Sequence, residues 1–140
     1  MPSDAVFVPA RPFRHRVRVY WEDTDAGGVV FYANYLKFFE RARTEWLRKL
    51  GFGQQALRET TGAIFIVAET RVSYRRPARL DDELEVSVEL RETGRASMHI
   101  AQAAWRGSEL LAEGDIRIGC VDAGSFRPTR IPTQILETIR

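Results

Sequence analysis

The fold turns on WEDTDAGGVVFYANYLKFFERARTEWL, residues 21–47. Its first half sets Glu22, Asp23 and Asp25 close together, next to Gly27 and Gly28. Polar and glycine-rich, residues 22–30 read as a loop. The second half turns helical from about Tyr32 to Leu50. Tyr35, Phe38, Phe39, Ala42, Trp46 and Leu50 recur at three- and four-residue spacing, and Lys37, Arg41, Glu45 and Arg48 fall elsewhere. Gly51 suits the helix C-terminus. Aromatic rings at Tyr32, Tyr35, Phe38, Phe39 and Trp46 cover much of the circumference, so the helix is expected to be largely enclosed. Acids beside such a helix cost folding energy if buried. Their presence asks for a reason.

Outward from this stretch the period changes. FRHRVRVYW (13–21) alternates, with Phe13, His15, Val17, Val19 and Trp21 on the apolar side, and reads as a half-exposed strand. QQALRET adds one or two helical turns ending near Gly62. Strands are then expected over 64–74, 83–93, 96–105 and 110–121, with Pro77 and ARLDD breaking the first pair and Gly94 turning the second. TQILETI closes the chain as a short helix or ordered tail. The order is strand, long helix, four strands. It predicts an α+β fold, an antiparallel sheet wrapped around one long central helix. Residues 1–12, with Pro2, Pro9 and Pro12, form an extended N-terminal arm, and 13–140 form a single domain. One open sheet leaves edge strands that self-pairing would cover.

Composition narrows the function. A chain 44% hydrophobic and 29% charged reads as a soluble globular protein. No apolar run approaches the ~20 residues of a membrane span. MPSDAVFVPARPFRHR lacks the layout of a signal peptide, so no membrane insertion and a cytoplasmic location are expected. The net charge of +2 is no nucleic-acid signature, and no aromatic ribonucleoprotein motif is present. Cys120 is the single cysteine, which removes any intrachain disulfide, and in RIGCV it reads as a small buried hydrophobe. No metal-ligand spacing, phosphate loop or G-x-S-x-G elbow occurs. His15 and His99 fall within strands.

VRVYWEDTDAGGVVFYANYLKFFERARTEWL (17–47), together with SYRRPARLDDELEV (73–86), resembles the hot-dog-fold acyl-CoA thioesterases of the 4-hydroxybenzoyl-CoA thioesterase type. Within that group it is most similar to the branch associated with the Tol–Pal system. The resemblance implies acyl-CoA thioester hydrolysis, on short-chain aliphatic or aromatic acyl groups, without a cofactor. Acyl-carrier protein is the alternative carrier. It implies a homodimer or homotetramer with the pocket between protomers. It makes Asp25 the catalytic acid and the backbone amide of Tyr32 the group that polarises the thioester carbonyl. Many Tol–Pal-branch members carry histidine where this chain has Tyr32. A histidine-dependent proton transfer is therefore excluded, and a backbone donor is not.

A thioester suits these residues. Its leaving thiol has a pKa near ~8.5, so expulsion needs little acid help. It needs a nucleophile or base, which Asp25 supplies, and an oxyanion site, which the helix N-terminus supplies. Burial beside Val29 and Val30 is expected to raise the basicity of Asp25. Gly27 and Gly28 are expected to let backbone and substrate approach closely, with Val29 beside them as a further substrate-binding candidate. By analogy with that family, Arg95 at the hairpin and Arg75 or Arg76 before Pro77 are the candidates for the phosphates of CoA. Glu22 and Asp23 read as structural or solvated. The competing reading is a non-catalytic acyl-carrier or envelope-complex interaction module of the same fold. An acyl-carrier-protein dehydratase would want a catalytic histidine that the helix lacks.

Overall fold

The computed structural model describes residues 12–139. Apart from Pro12, the expected arm lies outside them. Five strands, β1 (Phe13–Arg18), β2 (Ala63–Tyr74), β3 (Glu83–Thr93), β4 (Ser97–Arg106) and β5 (Glu109–Asp122), form one antiparallel sheet in the order β1-β3-β4-β5-β2. Helices α1 (Asn34–Lys49), α2 (Gln54–Thr61) and α3 (Thr133–Ile139) complete it. The architecture is the hot-dog fold, with α1 on the inner face of the sheet.

Aromatic packing holds α1 there. Tyr35, Phe38, Phe39, Ala42 and Leu47 are buried. Full burial of each Phe contributes roughly 1.5–3 kcal/mol. The sheet makes room for Phe39 at Gly114, where a Cβ would come within 3.1 Å of the Phe39 ring and 3.2 Å of the Arg71 carbonyl. Opposite stand Leu84, Val86, Val88, Ile100, Ala104 and Ile116, the inward set of the strands. Buried Gln102 ties helix to sheet: its Nε2 donates to the Phe39 carbonyl at 3.0 Å, and its Oε1 accepts from Arg43 at 2.9 Å. Helix α1 ends as the sequence predicts, with Gly51 at φ 100° just past Leu50. Cys120 is buried, and burial pushes its thiol up.

Two expectations need adjustment. Strand β1 stops at Arg18, short of Trp21, because the chain enters a 3-10 turn over Trp21–Asp23. That turn breaks the period of two. Val19 stays buried, but Trp21 is 79% exposed instead of joining the core. Helix α1 begins at Asn34, so Tyr32 precedes it and is exposed. Strand β2 covers the expected 64–74, starting at Ala63, and carries a bulge between Val67 and Glu69.

Strands β1 and β2 are the sheet edges. On β1, Arg14 and Arg18 pair with Glu85 and Glu83 of β3. Strand β2 is different. Its free edge spans 12 residues and exposes Ile66, Val67 and Tyr74.

Candidate active site

The chain leaves β1 along buried Val19, whose backbone exchanges hydrogen bonds with Asp81 and Asp82. The 3-10 turn follows. Thr24 then bridges to Val30, and the Asp25 amide donates to the Val29 carbonyl at 2.9 Å. The Gly28 amide donates back to the Asp25 carbonyl at 3.0 Å, closing the turn. Gly28 follows at φ 78°, a left-handed conformation that favours glycine and is usual after a short hairpin turn. The loop rests on the segment before β3, with Val30 bonded to Ala78 and Val29 bridged to Arg79.

The three acids now separate. Glu22 is exposed on the 3-10 turn. Asp23 is buried, and both its oxygens are engaged: Oδ2 accepts the Tyr20 amide at 2.8 Å and Oδ1 accepts Nδ2 of Asn34 at 2.6 Å. Asp25 is exposed in the single chain rather than partly buried beside Val29 and Val30. Its Oδ1 accepts the Gly27 amide at 2.8 Å, which fixes the carboxylate's direction. A Cβ on Gly27 would lie 3.2 Å from that same oxygen.

Beyond Val30 comes the mouth of α1. Its cap residue, Ala33, has no side chain able to bond the first amides. The Phe31 carbonyl accepts the Asn34 amide at 2.8 Å. The Tyr32 carbonyl accepts the Tyr74 hydroxyl at 2.8 Å. In a trans peptide, N–H and C=O point in opposite directions. The Tyr32 and Ala33 amides therefore point away from these two bonds. Among the described residues neither meets an acceptor. They are directed donors at the positive end of a helix dipole.

A cavity of about 300 Å³ adjoins this mouth, lined by Val30, Tyr32, Tyr35, Tyr74, Arg75, Arg76 and Pro77. Tyr74 meets both neighbouring rings edge-on, with centroids 6.2 Å from Tyr32 and 5.5 Å from Tyr35. Tyr35 accepts the Ala78 amide at 3.3 Å. Burial raises the phenols of Tyr35 and Tyr74, so both remain protonated at neutral pH.

The cavity brings Tyr32, Arg75 and Arg76 together, and the adjoining loop carries Asp25, Gly27, Gly28 and Val29. Both arginines have acidic partners: Arg75 pairs with Glu113 at 3.0 Å and Arg76 with Glu109 at 3.1 Å. Glu109 also holds Arg106, which reaches Asp82 at 2.7 Å. The Arg106 guanidinium keeps the Glu109 carboxyl below its usual range. Burial pushes up on Asp82, but the Arg79 amide and Arg106 hold it low. Arg95 is elsewhere. Tyr74 faces Ala112 on β5, whereas Ser97, beside the Arg95 turn, faces Gly119 in the β4–β5 pairing. Seven residues of strand separate the two ends, roughly 24 Å.

Sequence reading missed Tyr74 and Asn34. Tyr74 was legible only as a strand residue. Asn34 stood at the helix start, where a polar side chain draws no notice. Among the described residues, no three His, Cys, Asp or Glu side chains gather as a metal site.

A five-stranded antiparallel sheet packed on one long helix, entered through a loop that orients an exposed carboxylate, places the chain among the hot-dog proteins. Residues 19–139 match the Thioesterase-like superfamily, and the chain belongs to that family. The acyl-CoA thioesterase YbgC of Haemophilus influenzae is 44% identical over 123 residues, covering 88% of this chain and 90% of the relative. The acyl-CoA thioester hydrolase YbgC of Escherichia coli O157:H7 is 45% identical over 125 residues, covering 89% and 92%. A crystal structure from Aquifex aeolicus superposes with a TM-score of 0.86 at 29% identity, over 92% of this chain and 100% of that one.

Proposed function

We propose that the protein hydrolyses acyl-CoA thioesters to free acid and CoA, with Asp25 as nucleophile or general base and the Tyr32 amide as oxyanion donor. The chain is a thioester hydrolase of the acyl-CoA class, as its relatives at 44% and 45% identity are named. The observation that carries the site assignment is the pairing of a carboxylate oriented by Gly27 with unbonded amides at the mouth of α1.

The thioester carbonyl oxygen takes the place of the missing acceptor at Tyr32. Negative charge grows there as the carbonyl carbon becomes tetrahedral, and fixed donors lower that barrier by roughly 2.7–4 kcal/mol. On one route a carboxylate oxygen of Asp25 attacks the carbon. The C–S bond breaks, CoA leaves as thiolate, and water cleaves the resulting anhydride. On the other, Asp25 takes a proton from water as that water attacks, and the same C–S bond breaks. Either way the thiolate needs little help to leave.

Arg75 and Arg76 sit at the cavity beside the mouth and are proposed to meet CoA phosphates, exchanging Glu113 and Glu109 for the ligand. Arg95 joins only from a second protomer. Residues Gly27, Gly28 and Val29 supply the close backbone wall. The working unit is proposed to be a homodimer or homotetramer joined along β2. We also place the protein in the Tol–Pal-associated branch of the 4-hydroxybenzoyl-CoA thioesterase type, in the cytoplasm, with short-chain aliphatic or aromatic acyl groups as substrates and acyl-carrier protein as the alternative carrier. Among the described residues no helix is long and apolar enough to cross a membrane.

The test is thiol release from a panel of acyl-CoAs by wild type and by Asp25→Asn, which keeps shape and removes charge. Turnover should fall at least ~100-fold with the fold retained, the scale of a lost general base. Near-wild-type hydrolysis by Asp25→Asn would sink the assignment.

A further inference from the structure

We infer that Asp23 and Asn34 form a buried clamp that sets the catalytic carboxylate of Asp25 against the Tyr32 amide, so that both are positioning residues for thioester hydrolysis. The inference rests on the proposed roles of Asp25 and Tyr32. Those two groups lie on one continuous stretch of chain. Asp23 stands just before it and Asn34 just after it.

Asp23 ties three separate points of that stretch together. Its Oδ2 accepts the Tyr20 amide at 2.8 Å, at the exit from β1. Its main-chain carbonyl accepts the Phe31 amide at 2.9 Å, one residue before Tyr32. Its Oδ1 accepts Nδ2 of Asn34, the first residue of α1, at 2.6 Å. Residues 23 and 34 are 4% and 6% exposed, so water competes little for these bonds. A charge-assisted hydrogen bond in such surroundings is strong and directional.

Position, more than strength, makes the clamp relevant to the reaction. Burying a carboxylate for stability alone is a poor bargain, since apolar packing of the same volume serves as well or better. A buried carboxylate does what apolar packing cannot: it fixes the relative placement of a turn and a helix start. The loop ends at Asp23 and Phe31 are bonded to each other, and so are Asp23 and Asn34. Asp25 and Tyr32 have little freedom to move apart. Groups positioned this way matter because a displacement of ~1 Å can cost about 100-fold in rate.

The bonding pattern provides its own test. In Asp23→Ala both side-chain acceptors, for the Tyr20 amide and for Nδ2 of Asn34, are gone. In Asn34→Ala the donor is gone. The double exchange, Asp23→Asn with Asn34→Asp, restores both bonds in reversed sense: the amide oxygen at position 23 takes Tyr20, and the amide NH₂ there donates to the new carboxylate at position 34. Glu22→Gln, on the same turn but exposed, is the control for a lost negative charge.

Each variant is assayed for kcat and KM on one acyl-CoA substrate, well below its own unfolding temperature, with the folded fraction checked by circular dichroism. Each single variant should lower kcat roughly 10- to 100-fold with KM changed less than about threefold. The double exchange should recover most of that loss. Asp25→Asn is run beside them. If Asp25→Asn is inactive while the folded single variants stay within about threefold of wild type, the clamp is overturned and the role of Asp25 stands. If Asp25→Asn is active, the reading of Asp25 falls, and the clamp with it. Should the single variants fail to fold, the double exchange decides: folded and active supports the clamp, folded and as slow as Asp25→Asn overturns it.

Discussion

The Tyr74 hydroxyl, on the edge strand β2, donates at 2.8 Å to the carbonyl of Tyr32, at the mouth of α1. This bond crosses from the sheet to the one peptide whose partner N–H, on Ala33, points outward beside the Tyr32 amide. It therefore orients the mouth from outside the helix. Tyr74→Phe removes one oxygen and leaves the ring contacts with Tyr32 and Tyr35. A neutral hydrogen bond contributes about 1 kcal/mol, so kcat should drop roughly three- to tenfold, with a small change in KM. Unchanged kcat would mean that the helix backbone alone holds this peptide.

The two adjacent glycines should separate stability from activity. Gly28 has no atom within 4 Å of where a Cβ would sit, but its φ is 78°. Gly28→Ala then carries backbone strain, about 1–2 kcal/mol, read as a lower urea midpoint, and the added methyl on the proposed substrate wall should raise KM while kcat is little changed. Gly27 has no such φ, and its Cβ would press on Asp25 Oδ1 at 3.2 Å. Gly27→Ala should turn the carboxylate and cut kcat at least several-fold while the urea midpoint stays near wild type. The reverse pattern in the two variants would contradict this division.

Arg106 joins Asp82 and Glu109, whose ordinary carboxyl values are 3.8 and 4.5, and both are lowered in the folded protein. Below those values the unfolded chain binds protons that the folded chain resists. Stability from the cluster is thus fully present above about pH 4.5 and is lost as pH falls through the depressed folded values. Arg106→Met should flatten that slope. Thermal midpoints of wild type and variant should differ most near neutrality and converge in acid. A parallel offset at every pH would show that Arg106 acts through packing instead.

Local patterns carried most of the fold. Strand β3 runs over Glu83–Thr93 as its alternation predicts, and α1 buries Tyr35, Phe38, Phe39 and Ala42 of the expected face, while toward its end Leu47 is buried and Trp46 and Leu50 are only half-buried. What local patterns could not carry were contacts set by topology. Trp21 continues the alternation of β1, yet a 3-10 turn secured by hydrogen bonds to Tyr20 and Trp21 turns it to solvent. Asp23 reads as structural or solvated, and the structural role it takes is hidden because its partner, Asn34, lies 11 residues on. Asp23→Asn is consequently no neutral control for Asp25→Asn, and Glu22→Gln takes that place. Tyr74 matters because β2 passes the helix mouth, a placement that no spacing within 64–74 reveals. Arg95 joins Arg75 and Arg76 as a candidate by analogy with the family, and the register of the sheet sets it at the other end.

That separation of Arg95 bears on assembly. Strand β2 pairs only with β5 among the described residues and leaves its outer edge open along 12 residues. Open edges of this length, with Ile66 and Val67 exposed at 39% and 48%, invite another strand. A twofold partner is the commonest closed solution, and pairing β2 with its own copy runs the strands antiparallel. The far end of one sheet then approaches the helix mouth of the other. This would cover Leu36 and Tyr74, both exposed in the single chain, and bring a second protomer toward Asp25. The protein is expected to sediment at two or four times 16.0 kDa at micromolar concentration. Val67→Lys places a charge at the open edge, the device by which edge strands resist pairing. This variant should shift the population toward monomer and lose activity on dilution at higher concentrations than wild type does. If it is monomeric, folded and fully active, the shared site is wrong and each protomer works alone, with Arg95 outside the reaction.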